Sequence, residues 1–131
     1  MNFLLKLLGL DKLFKGPARV SMHSVEKIQR DWERIGQQVA GGTPSQLRQA
    51  VITADKTLDN ALRDLVEGET MGERLKNARH LYEADLYDTI WKAHKLRNSL
   101  VHETDFEPPH HVLEKRIRVF REALKEIGVK V

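Results

Sequence analysis

The side chains with the clearest chemical potential lie in one short stretch, residues 91–105, with the sequence WKAHKLRNSLVHETD. Arg97, Asn98 and His102 stand close together there. Histidine has an unperturbed pKa of about 6.5, so an imidazole can accept or deliver a proton near neutral pH. A guanidinium group carries a permanent charge on a planar fork of donors, which suits phosphoryl oxygens. The three residues therefore combine an acid–base group with an anion clamp.

Helical spacing limits which of these side chains can meet. At about 100° per residue, His94, Asn98 and His102 form a polar line along one face of a helix. Arg97 lies off that line, about 140° from His102, so the two cannot meet side by side on a straight helix. We therefore expect either that the helix unwinds after Leu100 or that a second subunit completes the site.

A set of histidines and acidic residues raises a second chemistry, metal binding. The set comprises His102, Glu103, Asp105, His110 and His111. The zinc motif H-E-x-x-H is absent, because Phe106 stands where the motif that starts at His102 needs its second histidine. We predict no metal site and interpret His110 and His111 as the exposed first turn of the last helix.

Two charged groups elsewhere are compatible with a site or with plain solvent exposure. Asp55, Asp59 and Asp64 have the reach to approach a pocket, yet we interpret them as an ordinary polar face. The last helix carries a basic group, which consists of Lys115, Arg116, Arg118, Arg121 and Lys125. That group offers phosphates a positive flank. A solvated amphipathic face explains it equally well, and both interpretations stay open.

Length and composition restrict the class of protein. A chain of 131 residues accommodates one hydrophobic core and is short for two ordinary domains. Hydrophobic residues make up 40% and charged residues 31%, which excludes a disordered chain and a membrane-embedded one. The absence of cysteine excludes a disulfide framework and a thiolate metal site. A net charge of +3 favours polyanions only mildly.

Apolar residues three and four positions apart predict helices from Ser24 onward. The stripes are Val25, Ile28, Trp32, Ile35 and Val39; Leu47, Val51, Ala54, Leu58, Ala61 and Leu65; Leu75, Ala78 and Leu81; Leu86, Ile90, Ala93, Leu96 and Leu100; and Leu113, Ile117, Phe120, Leu124 and Ile127. Thr43 and Gln46 form a capping box after the first stripe, and Pro108-Pro109 separates the last two helices. Because short loops favour antiparallel neighbours, residues 17–131 are predicted to form an all-α antiparallel bundle of four to five helices.

The first 16 residues predict an additional amphipathic helix. Phe3, Leu7 and Phe14 share one face, and Gly16-Pro17 ends the segment. Charged residues interrupt the apolar run, so a membrane-spanning helix is not predicted. Three uses stay open for residues 1–15: packing against the bundle or a second subunit, peripheral contact with a membrane interface, and binding of a partner.

Arg97, a polar residue at position 98 and His102 after four intervening residues resemble the R-x4-6-H motif of the HEPN superfamily. The position of the motif near the end of a late helix in a small α-bundle also resembles that family. The resemblance covers the helical part of the chain, roughly residues 24–127, and its signature consists of these three positions. It implies an α-helical bundle fold.

The same resemblance implies a metal-independent endoribonuclease that works as a homodimer. We expect no cofactor and a cytoplasmic location, with peripheral contact at the inner membrane face left open. The two motifs would face each other across the interface. His102 would be the acid–base group, Arg97 the phosphate clamp and Asn98 the positioning residue. Further contacts with RNA are expected from three nearby or basic side chains, namely His94, Lys95 and Arg116.

One position departs from a branch of the family. In HEPN toxins paired with a nucleotidyltransferase antitoxin, a tyrosine follows the histidine by two residues, whereas this chain has Thr104. Regulation by modification of that tyrosine is therefore not expected, and another regulatory protein stays open, as do toxin and defence roles. The alternative function is a non-catalytic helical module that binds RNA or a protein, with membrane contact through residues 1–15.

Overall fold

The computed structural model describes residues 18–131, and this part of the chain contains α-helices and no strand. The helices are α1 (Met22–Gly41), α2 (Pro44–Arg63), α3 (Met71–Asn77), α4 (Ala84–His102) and α5 (His110–Glu126), with a 3-10 turn at Arg79–Leu81. The predicted all-α bundle is confirmed. No helix between residues 18 and 131 combines the length and the apolar character that a membrane crossing requires. The helix predicted for residues 1–16 lies outside the described residues.

Local capping determines where the first two helices begin. Ser21 is the N-cap of α1, and its hydroxyl accepts a hydrogen bond from the amide of Ser24. The helix therefore begins two residues before the predicted start at Ser24. The predicted capping box of α2 is confirmed, because Thr43 accepts from the amide of Gln46 while the Gln46 side chain accepts from the amide of Thr43. Gly42 adopts a left-handed φ of 69° that ends α1.

Helix α2 lies at the centre of the bundle and packs against α1, α4 and α5. Only Gly42 and Thr43 separate α1 from α2, so these two helices are antiparallel neighbours. The largest fully buried side chains come from all of the helices in this part of the chain: Phe120, Ile28, Ile35, Leu47, Leu58, Leu62, Leu75, Ile90, Leu113 and Leu124, with Val51 and Val129. Each such side chain contributes about 1.5–3 kcal/mol through burial, so apolar packing holds the bundle.

Buried polar groups attach the short helix α3 to the bundle. Arg74 on α3 donates to Asp59 on α2 at 2.6 Å and to the carbonyl of Gly68 at 2.6 Å. The Tyr87 hydroxyl on α4 donates to the carbonyl of Leu75 on α3 at 2.9 Å. Since a buried polar atom without a partner is destabilising, these bonds set the position of α3 against α2 and α4. The start of α3 forms one wall of the candidate site.

Candidate functional site

Four polar side chains on α2 and α4 form a closed ring, which we call the polar ring: Asp55, His94, Asn98 and Arg97. The His94 Nδ1–H donates to Oδ2 of Asp55 at 2.7 Å. The other ring nitrogen of His94, Nε2, lies 3.5 Å from Nδ2 of Asn98. Arg97 Nη1 donates to Oδ1 of Asn98 at 3.1 Å, and Arg97 Nε lies 3.8 Å from Oδ1 of Asp55. Each member therefore constrains the next one.

The polar ring runs from the core to the surface. Asp55 is 4% exposed and His94 is 6% exposed, whereas the Arg97 side chain is 31% exposed. A buried carboxylate is stable only with donors or a cation close by, and His94 and Arg97 supply both. Because the Asp55 carboxylate holds a proton on Nδ1, Nε2 is the ring nitrogen that faces the Asn98 amide. The buried pair thus orients the two residues nearer the surface.

Arg97 keeps donor capacity that the fold does not use. Its Nε is buried and has no hydrogen-bond partner, since the 3.8 Å separation from Asp55 exceeds hydrogen-bond distance. One of its terminal nitrogens, Nη1, donates a hydrogen bond to Asn98. A guanidinium group has five N–H donors, so donors remain for a ligand.

An open cavity of about 510 Å³, which we call the Arg97 cavity, lies over the polar ring. Its floor includes His94, Arg97 and Asn98, and its walls are Thr70, Met71 and Gly72 before and at the start of α3, with Trp91 and Lys95 on α4. Lys95 is exposed, and Trp91 is half-buried. The cavity therefore combines a fixed guanidinium, an amide, a mobile ammonium and an aromatic ring, which suits a phosphate-containing ligand.

His102 lies in a different place from Arg97. It is the last residue of α4 and is exposed, and it borders a separate shallow cavity with the loop from Glu103 to Phe106. The helix stays regular through His102, so the predicted unwinding after Leu100 does not occur. Within one chain, the structure brings Arg97, Asn98 and His94 together and leaves His102 apart.

Arg48 on α2 holds the loop that follows His102. Its guanidinium donates to the carbonyl of Phe106 at 2.9 Å and to the carbonyl of Leu100 at 3.4 Å. Phe106 is itself half-buried against the core. The end of α4 is therefore tied to α2, which fixes the place from which His102 projects.

The remaining predicted residues have separate surroundings. His94, expected to contact RNA, is buried and orients Asn98. Arg116 is half-buried on α5, outside both cavities, and its Nε is buried without a hydrogen-bond partner. His110 and His111 are exposed in the first turn of α5, which confirms their predicted place. No cluster of three potential metal ligands occurs among residues 18–131.

The interpretation of Asp55 as part of an ordinary polar face is wrong. Asp55 is buried, whereas Asp59 pairs with Arg74 and Asp64 accepts from the amide of Ser21. The spacing in the sequence indicates that Asp55 is buried, because position 55 is four residues after Val51 and three before Leu58. Both of these neighbours are fully buried. A carboxylate on the apolar stripe of a helix needs a buried partner.

Comparison of the chain with family models, with curated proteins and with solved structures gives no match. The resemblance to HEPN domains is carried by Arg97, Asn98 and His102 and by their setting. The polar ring and the surfaces beside it are therefore the features that indicate a function.

Proposed function

We propose that this protein is a HEPN-like, metal-independent endoribonuclease that acts as a homodimer in the cytoplasm. The observation that carries the proposal is the polar ring. A buried carboxylate and imidazole hold Arg97 and Asn98 at the floor of an open cavity. Well-packed apolar residues would stabilise a helical bundle at least as well as a buried ionic group, so the ring points to a ligand.

The chemistry fits the side chains. In cleavage by the ribose 2′-hydroxyl, the 2′-oxygen loses its proton and attacks phosphorus, the bond from phosphorus to the 5′-oxygen breaks, and that oxygen takes up a proton. Negative charge on the phosphoryl oxygens increases in the transition state, and the Arg97 guanidinium would stabilise it through paired hydrogen bonds. Asn98 would position the phosphate, and His102 would transfer a proton.

The separation of Arg97 from His102 supports a dimeric site. A two-fold dimer in which the C-terminal ends of the two α4 helices meet would bring the Arg97 cavity of one chain towards His102 of the other. Val101 supports an interface at this end of α4, because it is one of the large apolar residues on the surface, at 48% exposed. We therefore propose that the interface includes Val101 and the C-terminal end of α4, which leaves Trp91 open to a ligand.

The activity is tested with purified protein and RNA in the presence of EDTA. We expect fragments that end in 2′,3′-cyclic phosphate on one side and 5′-hydroxyl on the other, because the attacking group is the neighbouring 2′-hydroxyl. A DNA strand of the same sequence serves as the control and should stay intact, since it lacks that hydroxyl. Wild-type protein that is inactive on varied RNAs would refute the proposed nuclease activity.

The composite site is tested by mixing two inactive variants, Arg97→Ala and His102→Ala. A mixed dimer contains one complete site, built from the intact Arg97 of one chain and the intact His102 of the other. Random exchange of subunits makes about half of the dimers mixed, and each of these has one of its two sites complete. The mixture should therefore regain about a quarter of the wild-type activity. Sedimentation should show a dimer at micromolar protein concentration. A strict monomer, or a mixture that stays inactive although mixed dimers form, would contradict the shared site.

A second function, a binding module without catalysis, is favoured by one observation. A single chain presents the Arg97 cavity without an acid–base group at the surface, because His94 is buried and His102 lies elsewhere. A monomer would then bind phosphate-containing ligands and leave them intact. Binding of RNA without cleavage, together with a monomeric mass, is the outcome that would establish this function.

A further inference from the structure

A second cavity lies beside the cavity over the polar ring, along α4. The second cavity measures about 530 Å³ and is bordered by Lys76, Asp88, Trp91, Lys92 and Lys95. Trp91 and Lys95 border both cavities. The two cavities are therefore adjacent, and we call them together the α4 groove. It leads from Arg97 past the Trp91 ring to the side chains of Lys76 and Lys92.

Trp91 occupies the middle of the α4 groove in a fixed orientation. Its ring lies edge-on to Tyr87, with centroids 6.4 Å apart, and edge-on to His94 at 6.0 Å. Both neighbours are anchored, Tyr87 by its bond to the carbonyl of Leu75 and His94 by Asp55. Trp32, the other tryptophan, is buried in the core at 5% exposed, whereas Trp91 is half-buried. Trp91 thus offers a rigid aromatic surface to a ligand.

The charges in the α4 groove are mostly positive. Lys76, Lys92 and Lys95 are exposed, and Asp88 is the acidic residue among the side chains that border the second cavity. Aromatic rings that stack on bases, next to cations that follow the backbone, are the two features with which proteins bind single-stranded nucleic acids. The groove presents both within one helix face, because Trp91 and Lys95 are four residues apart.

We propose that the α4 groove is a binding subsite for a single RNA strand, in which an unpaired base stacks on Trp91. Lys76, Lys92 and Lys95 bind the phosphates on one side of the phosphate held by Arg97. The subsite rests on the proposed function only in taking RNA as its ligand. Because every base has a flat face, stacking on Trp91 selects for unpaired RNA rather than for one sequence.

The other ligands of similar charge fit the groove less well. In duplex RNA the bases are stacked on each other, so their faces cannot contact Trp91. An acidic peptide would neutralise Lys92 and Lys95, but its carboxylates do not cover the face of the indole. A single strand is therefore the ligand that uses both features of the groove.

The test is titration with a 2′-O-methyl oligouridylate, which lacks the attacking hydroxyl and so measures binding without cleavage. We expect saturable quenching of tryptophan emission, because stacking on Trp91 changes its surroundings while Trp32 stays buried. Trp91→Leu should weaken binding about tenfold and remove the quenching, since one stacked base contributes about that much. Trp91→Phe keeps an aromatic face and should retain most of the affinity.

Charge variants distinguish binding of RNA in the α4 groove from non-specific attraction of RNA to a positively charged protein. Lys95→Glu should weaken binding and reduce its dependence on salt. The matched control is Lys130→Glu, an exposed lysine beyond the end of α5, which should leave binding unchanged. A duplex of equal length and polyglutamate should both compete poorly with the oligouridylate for wild-type protein.

The outcomes distinguish this subsite from the nuclease itself. A folded Trp91→Leu variant that binds as tightly as wild type would refute the subsite, even if RNA is cleaved. Equal competition by duplex RNA or polyglutamate would also refute it. Saturable binding that depends on Trp91 in a protein that never cleaves RNA would support the subsite and refute the nuclease.

Discussion

Replacing His102 with alanine should lower RNA cleavage by about 10²–10⁴-fold, the usual contribution of a positioned acid–base group. The imidazole is the exposed member of the motif, at the end of α4, and nothing in the core depends on it. The free energy of unfolding should therefore stay within about 1 kcal/mol of the wild-type value, since the expected loss is the favourable contact of an imidazole with the helix C-terminus. Cleavage rates and thermal melts measure the two effects separately.

His111→Ala is the matched control for this prediction. His111 is also exposed, in the first turn of α5, and should be replaceable without loss of activity. Arg97→Lys provides a second comparison, because an ammonium keeps the charge but not the forked pair of donors. We expect that variant to lose activity as well. Full activity in the His102→Ala protein would assign proton transfer to another group and overturn the role given to His102.

Local signals in the sequence predicted the helices of the described region. The stripe with Ile28, Trp32 and Ile35 is buried as predicted, and the capping box at Thr43 marks the start of α2. These features depend on residues within a few positions of each other, so one sequence contains all the information they need. The start of α1 differs by two residues from the prediction, because its N-cap, Ser21, precedes the first apolar residue of the stripe.

The composition of the polar ring could not be predicted in the same way. The bond between Asp55 and His94 joins positions 39 residues apart in the chain, and it depends on how α2 packs against α4. Periodicity gives the face of each helix but not the neighbour that covers it. The aspartate was assigned to solvent by residue type, although its spacing placed it among buried residues.

The residues of the polar line predicted on α4 do not share one environment, and the reason is geometric. Residues four apart on a helix drift by about 40°, so His102 lies about 80° from His94 around the axis. That rotation is sufficient to carry the line from the core, where His94 is 6% exposed, to the surface, where His102 lies. Asn98 stands between them and is half-buried. The predicted divergence of Arg97 and His102 follows from the same geometry.

Replacing Asp55 with alanine should lower the free energy of unfolding by about 1–3 kcal/mol, the cost of a buried polar group without a partner. Removal of the carboxylate leaves the Nδ1–H of His94 without its acceptor at 2.7 Å. Arg97 is partly exposed and can turn to water, so its charge is not stranded in the core. Denaturant unfolding measures this loss. Asp31→Ala, which breaks the partly exposed pair with Lys27, is the control and should change stability by less than about 1 kcal/mol.

Asp55→Asn should separate the structural part of the polar ring from its functional part. The asparagine oxygen can still accept from His94, so most of the stability should remain. Its amide nitrogen then faces Nε of Arg97, which places a donor against a donor and removes the attraction of the carboxylate. The guanidinium should lose its fixed orientation, and cleavage should fall although the protein stays folded. An Asp55→Asn protein that cleaves RNA like wild type would show that the carboxylate does not position Arg97. A stable Asp55→Ala protein would show that the buried pair contributes nothing to the fold.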